Sequence, residues 1–294
     1  MRKHTAVFIS FFFCLFISCT PEIKRERIIT VTIEPQRYFV ERLADSLFQV
    51  VTMVPPGTSP ETYDPTPVQM ASLAKSKAYF KIGEIGFEQV WMDKIEANNP
   101  GLLIVNTGKD IDMILSEEEE HSHHEGHGHD HHCHGNVDPH TWCSPLNVKQ
   151  IVRNCYEALL EMDPENKPVY EQNYISLIKE IEETIHQIDS ILKPVDSGSF
   201  IIYHPTLTYF ARDYNLNQYS IEMDGKEPSP EQLKRLVKTA KEKEVRVIFI
   251  QQEFDSKNAG IIAKETGCIP VVINPLSYNW AEEMIRIAKE LRKI

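Results

Sequence analysis

The chain has 294 residues, 41% of them hydrophobic and 25% charged, and a formal net charge of −12 with histidines neutral. This is the composition of a soluble globular protein long enough for two ordinary domains. So acidic a balance argues against nucleic acid as a partner and favours cationic ligands.

Arg2 and Lys3 precede an apolar run over residues 6–17, which ends at Ile17-Ser18-Cys19. A positive start, an apolar stretch shorter than the ~20 residues of a spanning helix and a small residue before cysteine make a secretory signal. The end of the run resembles a bacterial lipobox, with Phe16 where such motifs usually carry Leu. The expectation is cleavage of residues 1–18, lipidation of Cys19 and an exported body held at a bacterial membrane, periplasmic or at the cell surface. An uncleaved signal anchor is the other reading. Cys133, Cys143, Cys155 and Cys268 are then left, open to disulfides in an oxidising compartment, with pairing that spacing does not fix.

A tether over residues 19–27 leads to a strand over 28–33, rich in β-branched residues. A helix over 37–47, a strand over 50–54 stopped by Pro55-Pro56-Gly57, a short helix over 69–75, a strand over 78–82, a helix over 88–97 and a strand over 102–105 follow. Such alternation predicts βαβ units and a mostly parallel sheet.

Residues 117–134 then read EEEEHSHHEGHGHDHHCH, and His121, His123, His124, His127, His129, His131, His132 and His134 are eight of the chain's twelve histidines. Imidazole nitrogen, the sulfur of Cys133 and carboxylate oxygen together are the ligand set of a borderline metal such as zinc. The tract's flexibility suits a loop that gathers metal better than a shaped site; a merely solvated loop is the bland alternative. Asp138-Pro139-His140-Thr141-Trp142 forms a tight turn before a helix over 147–161.

Tyr174, Leu177, Ile178, Ile181, Ile185, Ile188 and Leu192 recur at spacings of three and four over residues 169–192, bracketed by Pro168 and Pro194. They predict one amphipathic helix of ~24 residues, ~36 Å long, placed as a rigid strut between two α/β patterns. The second pattern has strands over 200–203, 245–250 and 271–273, and helices over 206–214, 231–243 (capped by Ser229), 257–266 and 281–292. The fold expected is α/β: two α/β lobes with mostly parallel sheets, joined by one long rigid helix, with a metal cleft between them. Residues 28–163 form the N-terminal metal-binding lobe, 164–194 the linking helix and 195–294 the C-terminal lobe.

His140 and His204 both stand at element ends facing a helix start, where α/β folds open their ligand crevices. Their surroundings carry a resemblance. Val54-Pro55-Pro56-Gly57 with Tyr63-Asp64-Pro65-Thr66-Pro67, Asp138-Pro139-His140-Thr141-Trp142-Cys143-Ser144-Pro145, and Tyr203-His204-Pro205 with Tyr209-Phe210-Ala211 occur in this order. With Gly83-Glu84-Ile85-Gly86-Phe87-Glu88 and Glu227-Pro228-Ser229-Pro230, the chain from about residue 28 onward is similar to the zinc and manganese substrate-binding proteins of ABC importers, the ZnuA/TroA-like group. The resemblance implies two lobes on one long helix, a metal held in the cleft, and His140 and His204 as ligands. A His- and acid-rich loop marks the zinc members.

Two positions depart from the pattern. Glu61 stands where the family usually has histidine, and its carboxylate could substitute at ~2.0–2.2 Å while favouring harder metals such as manganese. Asn274-Pro275-Leu276 stands where an aspartate often precedes Pro-Leu. Asn274 binds only as a neutral amide, so Glu253 or water is the other source of a fourth ligand.

The expected function is capture of a divalent metal, zinc foremost and manganese as the alternative, and delivery to an ABC-type permease. Ligand histidines must be neutral, so binding weakens as pH falls through about 6.5. A zinc enzyme is the rival class, since two histidines and a glutamate with an open position form a catalytic arrangement. No His-Glu-x-x-His helix, Gly-x-Ser-x-Gly elbow or general base supports it, so no catalytic residue is assigned. A metal-dependent surface adhesin or a metal buffer is the third reading.

Overall fold

A computed structural model describes residues 25–115, 137–195, 197–222, 226, 228–254 and 257–293. The signal, Cys19 and the histidine tract with Cys133 therefore lie outside the described residues. The first half runs β1 (Ile28–Val31), α1 (Glu34–Ala44), β2 (Gln49–Thr52), α2 (Pro67–Leu73), β3 (Ala78–Lys81), α3 (Gly86–Asn98) and β4 (Leu103–Asn106). Two helices follow, α4 (Pro145–Met162) and α5 (Lys167–Leu192). The second half runs β5 (Ser199–Ile202), α6 (Thr208–Asp213), β6 (Asn217–Ser220), α7 (Pro230–Glu242), β7 (Val247–Gln251), α8 (Lys257–Thr266), β8 (Ile269–Ile273) and α9 (Trp280–Leu291).

The strands make two four-stranded sheets, ordered β2-β1-β3-β4 and β6-β5-β7-β8. Every pairing between these strands is parallel, as the alternation with helices requires. In the second sheet the two faces separate cleanly. Phe200, Ile202, Val247 and Phe249 join the main core, while Ile201, Tyr203, Ile248 and Ile250 pack with Ala240 and Ile262 in a smaller one, the period-2 alternation of a strand covered on both faces.

The linking helix is 26 residues long, ~39 Å at 1.5 Å per residue. Its buried residues Tyr170, Leu177, Ile181, Thr184, Ile188 and Leu192 meet α1 and α4 from the first half and α9 from the second. One hydrophobic core consequently runs through both halves, from Ile29 and Phe80 to Phe200, Phe249 and Trp280. The halves also touch directly: Phe39 meets Trp280 edge-on at 5.3 Å, and the Tyr278 hydroxyl donates to Glu41 Oε2 at 2.7 Å.

Two details differ from the sequence expectation, and the state of three cysteines, left open there, is now visible. Pro168 lies inside the helix and not before it, in the first turn where its missing N–H has no intrahelical partner to lose. β6 was not anticipated, because Asn217-Gln218-Tyr219-Ser220 shows no apolar run. Cys143, Cys155 and Cys268 are free and buried, and burial pushes the Cys143 and Cys155 thiols up. No helix among the described residues is long and apolar enough to cross a membrane.

Candidate metal centre

Parallel strands direct their C-terminal ends to one edge of a sheet, and the loops leaving that edge carry the site. Glu61 lies in the loop after β2, His204 directly after β5, Glu222 after β6, Glu253 after β7 and Asn274 after β8. His140 comes from the segment between β4 and α4. The structure brings Glu61, His140 and His204 together, one ligand atom from each lying within 4.8 Å of the others.

His140 is 5% exposed. Asp138 Oδ1 accepts from its backbone N–H at 2.9 Å and faces its Nδ1 at 2.8 Å. That carboxylate places the proton on Nδ1 and leaves the Nε2 lone pair turned into the cleft. Burial works against an imidazolium here, but the charge and hydrogen bond of Asp138, with Glu61 and Glu222 nearby, lift His140 above the ordinary histidine value. The same pairing holds the Asp138 carboxyl below its usual range despite burial.

Gln251, the fully buried last residue of β7, clamps the backbone of His204. Its Oε1 accepts from the His204 N–H at 3.3 Å and its Nε2 donates to the His204 carbonyl at 2.6 Å. The imidazole stacks on Phe254 with ring centroids 5.3 Å apart. Its Nε2 stands 3.3 Å from His140 Nε2. Two nitrogens held ~2.05 Å from a tetrahedral zinc stand about 3.3 Å apart, so the pair has the spacing of one edge of a zinc tetrahedron. Glu61 Oε1 lies 3.8 Å from His140 Nε2, while Glu61 Oε2 accepts from the Gly86 N–H at 3.0 Å.

Several buried polar atoms in the loops at this edge have no hydrogen-bond partner: Glu61 Oε1, His204 Nδ1, Glu222 Oε2, Glu253 Oε2 and Asn274 Oδ1. Orphaned oxygens such as those of Glu61 and Glu253 are what a cation satisfies, whereas His204 Nδ1 and Glu222 Oε2 face each other at 3.3 Å. Glu253 is outside the group of three, yet it feels both histidines. Burial lifts its carboxyl above the usual range, against a backbone hydrogen bond and the pull of His204 and His140. Asn274 is held by its backbone, whose N–H donates to Glu283 Oε1 at 2.6 Å. The next residue, Pro275, accepts from Trp142 Nε1 at 3.0 Å, which fixes the Asn274 turn against the His140 turn.

Sequence reasoning quoted Asp138 without its role and missed Glu222, whose signal was a strand too polar to notice. Gly86, Gln251 and Phe254 were likewise invisible as site supports until the loops were placed.

The family model for ZnuA, zinc-uptake complex component A periplasmic, matches residues 29–293. The high-affinity zinc uptake system protein ZnuA of Bacillus subtilis (strain 168) is 30% identical over 253 residues, covering 84% of this chain and 78% of its own length. A crystal structure of ZnuA superposes with a TM-score of 0.82 at 35% identity, covering 90% of this chain and 98% of that one. A ZnuA deletion mutant plus zinc bound gives 0.81 at 35% identity, covering 90% and 96%. With its two parallel sheets, its long linking helix and a family match spanning almost its whole length, the chain belongs to the ZnuA family of periplasmic zinc-uptake components.

Proposed function

We propose that this protein is an extracytoplasmic substrate-binding lipoprotein that captures a divalent transition metal, zinc foremost, and delivers it to an ABC-type permease for uptake. The metal is cargo, bound and released without covalent chemistry. The observation that carries the reading is the convergence of Glu61, His140 and His204, with the two Nε2 atoms at a zinc-like spacing. The names of the relatives point the same way. Glu61, His140 and His204 are the ligands in this reading, and Asn274 or Glu253 completes the site. A carboxylate at position 61 leaves manganese as the second candidate, because it is harder than imidazole.

The same reading assigns residues 1–18 to a cleaved signal, Cys19 to the lipid anchor and residues 19–27 to a tether. The metal then lies between an N-terminal lobe of residues 28–163 and a C-terminal lobe of residues 195–294, linked by residues 164–194, and the tract over 117–134 gathers metal for the cleft. Leu115 and Val137, the described residues on either side of the tract, pair as an isolated antiparallel bridge.

The test is the double substitution His140→Ala and His204→Ala, read by zinc titration against a chromophoric chelator. Tight binding is expected to vanish while the metal-free protein still melts cooperatively. Retained tight binding would remove the cleft from the account.

A further inference from the structure

His140 has a carboxylate behind it, and the same relation recurs at His204 from an unrelated part of the chain. β5 and β6 pair in parallel with Ile202 opposite Ser220. The pairing continues beyond the named strands, since the N–H of Ile221 donates to the Ile202 carbonyl and that of Glu222 to the Tyr203 carbonyl, both at 2.9 Å. Two residues further along each strand, the register sets Glu222 beside His204. Side chains in register on parallel neighbours share a sheet face, so the topology itself delivers a carboxylate to this imidazole.

The contact is close. Glu222 Oε2 lies 3.3 Å from His204 Nδ1. Both atoms are buried and neither has a hydrogen-bond partner. Glu222 is only 7% exposed, and a carboxylate in that position is costly unless something answers its charge. A small rotation of either side chain turns this approach into an Nδ1–H···Oε2 hydrogen bond, which would satisfy both atoms together. Nε2 is meanwhile the nitrogen turned toward His140.

We infer that Glu222 is the positioning residue of His204: it accepts the Nδ1 proton and fixes the tautomer that offers Nε2 to the metal. The inference rests on the metal-site reading above. It makes the centre a pair of like units, Asp138 with His140 and Glu222 with His204, one from each half of the molecule. A hydrogen-bonded carboxylate behind a ligating histidine strengthens its donation and holds its ring. Glu222 therefore acts through His204, without touching the metal.

The experiment compares Glu222→Ala and Glu222→Gln with the parent protein, using zinc alone as probe. Chelator competition gives the affinity, and long-range proton–nitrogen NMR correlations report which His204 nitrogen carries the proton. Glu222→Ala is expected to weaken zinc about 10–100-fold and to lose the slowly exchanging His204 Nδ1 proton signal. Glu222→Gln keeps an acceptor oxygen, so it should restore the signal and part of the affinity. A structural contribution alone would lower the melting temperature of the metal-free protein and leave the His204 tautomer in the loaded protein unchanged. That result, or unchanged affinity in Glu222→Ala, overturns the inference. His204→Ala serves as the reference: if it also leaves zinc affinity intact, the metal-site reading falls first, and if it abolishes binding while Glu222→Ala does not, only the positioning role falls.

Discussion

A methyl group at position 86 would sit 2.5 Å from the carbonyl oxygen of Glu61 and 2.9 Å from its Oε2, so the Glu61 loop closes this tightly only over a glycine. The close approach lets the Gly86 N–H hold one carboxylate oxygen while Oε1 stays unpartnered toward the histidines. Gly86→Ala is expected to push Glu61 out of place, costing about 1–3 kcal/mol of stability as overpacking does. It should weaken zinc as well, which thermal melts of the metal-free protein and chelator competition would separate. Loss of stability with unchanged zinc affinity would show that Glu61 is no ligand. Within the same loop, Glu61→Gln keeps the size and removes the charge, whereas Glu61→His supplies a softer donor. The first should lose zinc affinity beyond the ~10–100-fold of an outer partner, and the second should shift selectivity from manganese toward zinc. Calorimetry with both metals checks the order, and equal affinities in all three proteins would return Glu61 to the role of a solvated loop residue.

Elements are held to each other at their ends by a few polar clusters, and Asp163 is the clearest. Between α4 and α5 it accepts from Arg27 at 2.5 Å, from the Tyr170 hydroxyl at 2.6 Å and from Asn166 at 2.9 Å, which ties the approach to β1 to the start of the linking helix. Burial opposes its ionisation, yet the hydrogen bonds and the Arg27 charge outweigh this and pull its pKa down to about 2. A carboxyl depressed in the folded state stabilises above its unfolded value of ~3.9 and loses that contribution as pH falls through the folded one. Asp163→Asn should therefore lower stability at neutral pH by about 1 kcal/mol, read from the urea midpoint, because the buried Tyr170 hydroxyl loses its charged acceptor while Arg27 is half exposed. The gap to the parent should narrow below about pH 4 and close near pH 2; a gap independent of pH would show that charge is not its source. None of this cluster was legible in the sequence, because Arg27, Asp163 and Tyr170 meet only through the fold. The helices and the buried strands were legible, since apolar runs and three-and-four spacing report burial directly. β6 was not: its stability comes from pairing with β5, and a half-exposed edge strand needs no apolar signature. Glu222 was missed with it. His140 and His204 were legible from their places at element ends and Glu61 through the resemblance of its flanking motif, and their convergence on one point is something only the two sheets could display.

At the scale of the whole molecule, the shared core decides how the halves behave. α5 packs against helices from both sides and one hydrophobic cluster spans them, so heating the metal-free protein should give a single calorimetric transition. Ile181→Ala in the middle of α5, where the side chain is 1% exposed, should cost the ~2–5 kcal/mol of a core truncation and lower the temperature of that transition without splitting it. Two separate transitions would mean that the halves fold independently. A rigid frame of this kind also bears on the histidine tract. The cleft donors sit on turns fixed by Gln251, Trp142 and Asp138, all of them outside the tract. The described residues on either side of it, Leu115 and Val137, are already paired, which leaves a ready junction when residues 117–134 are deleted. The shortened protein is expected to keep one tight zinc site of unchanged affinity and to lose weaker binding equivalents, read by calorimetry at low and high zinc. Loss of the tight site, with the melting temperature of the metal-free protein unchanged, would move the receptor function from the cleft to the tract.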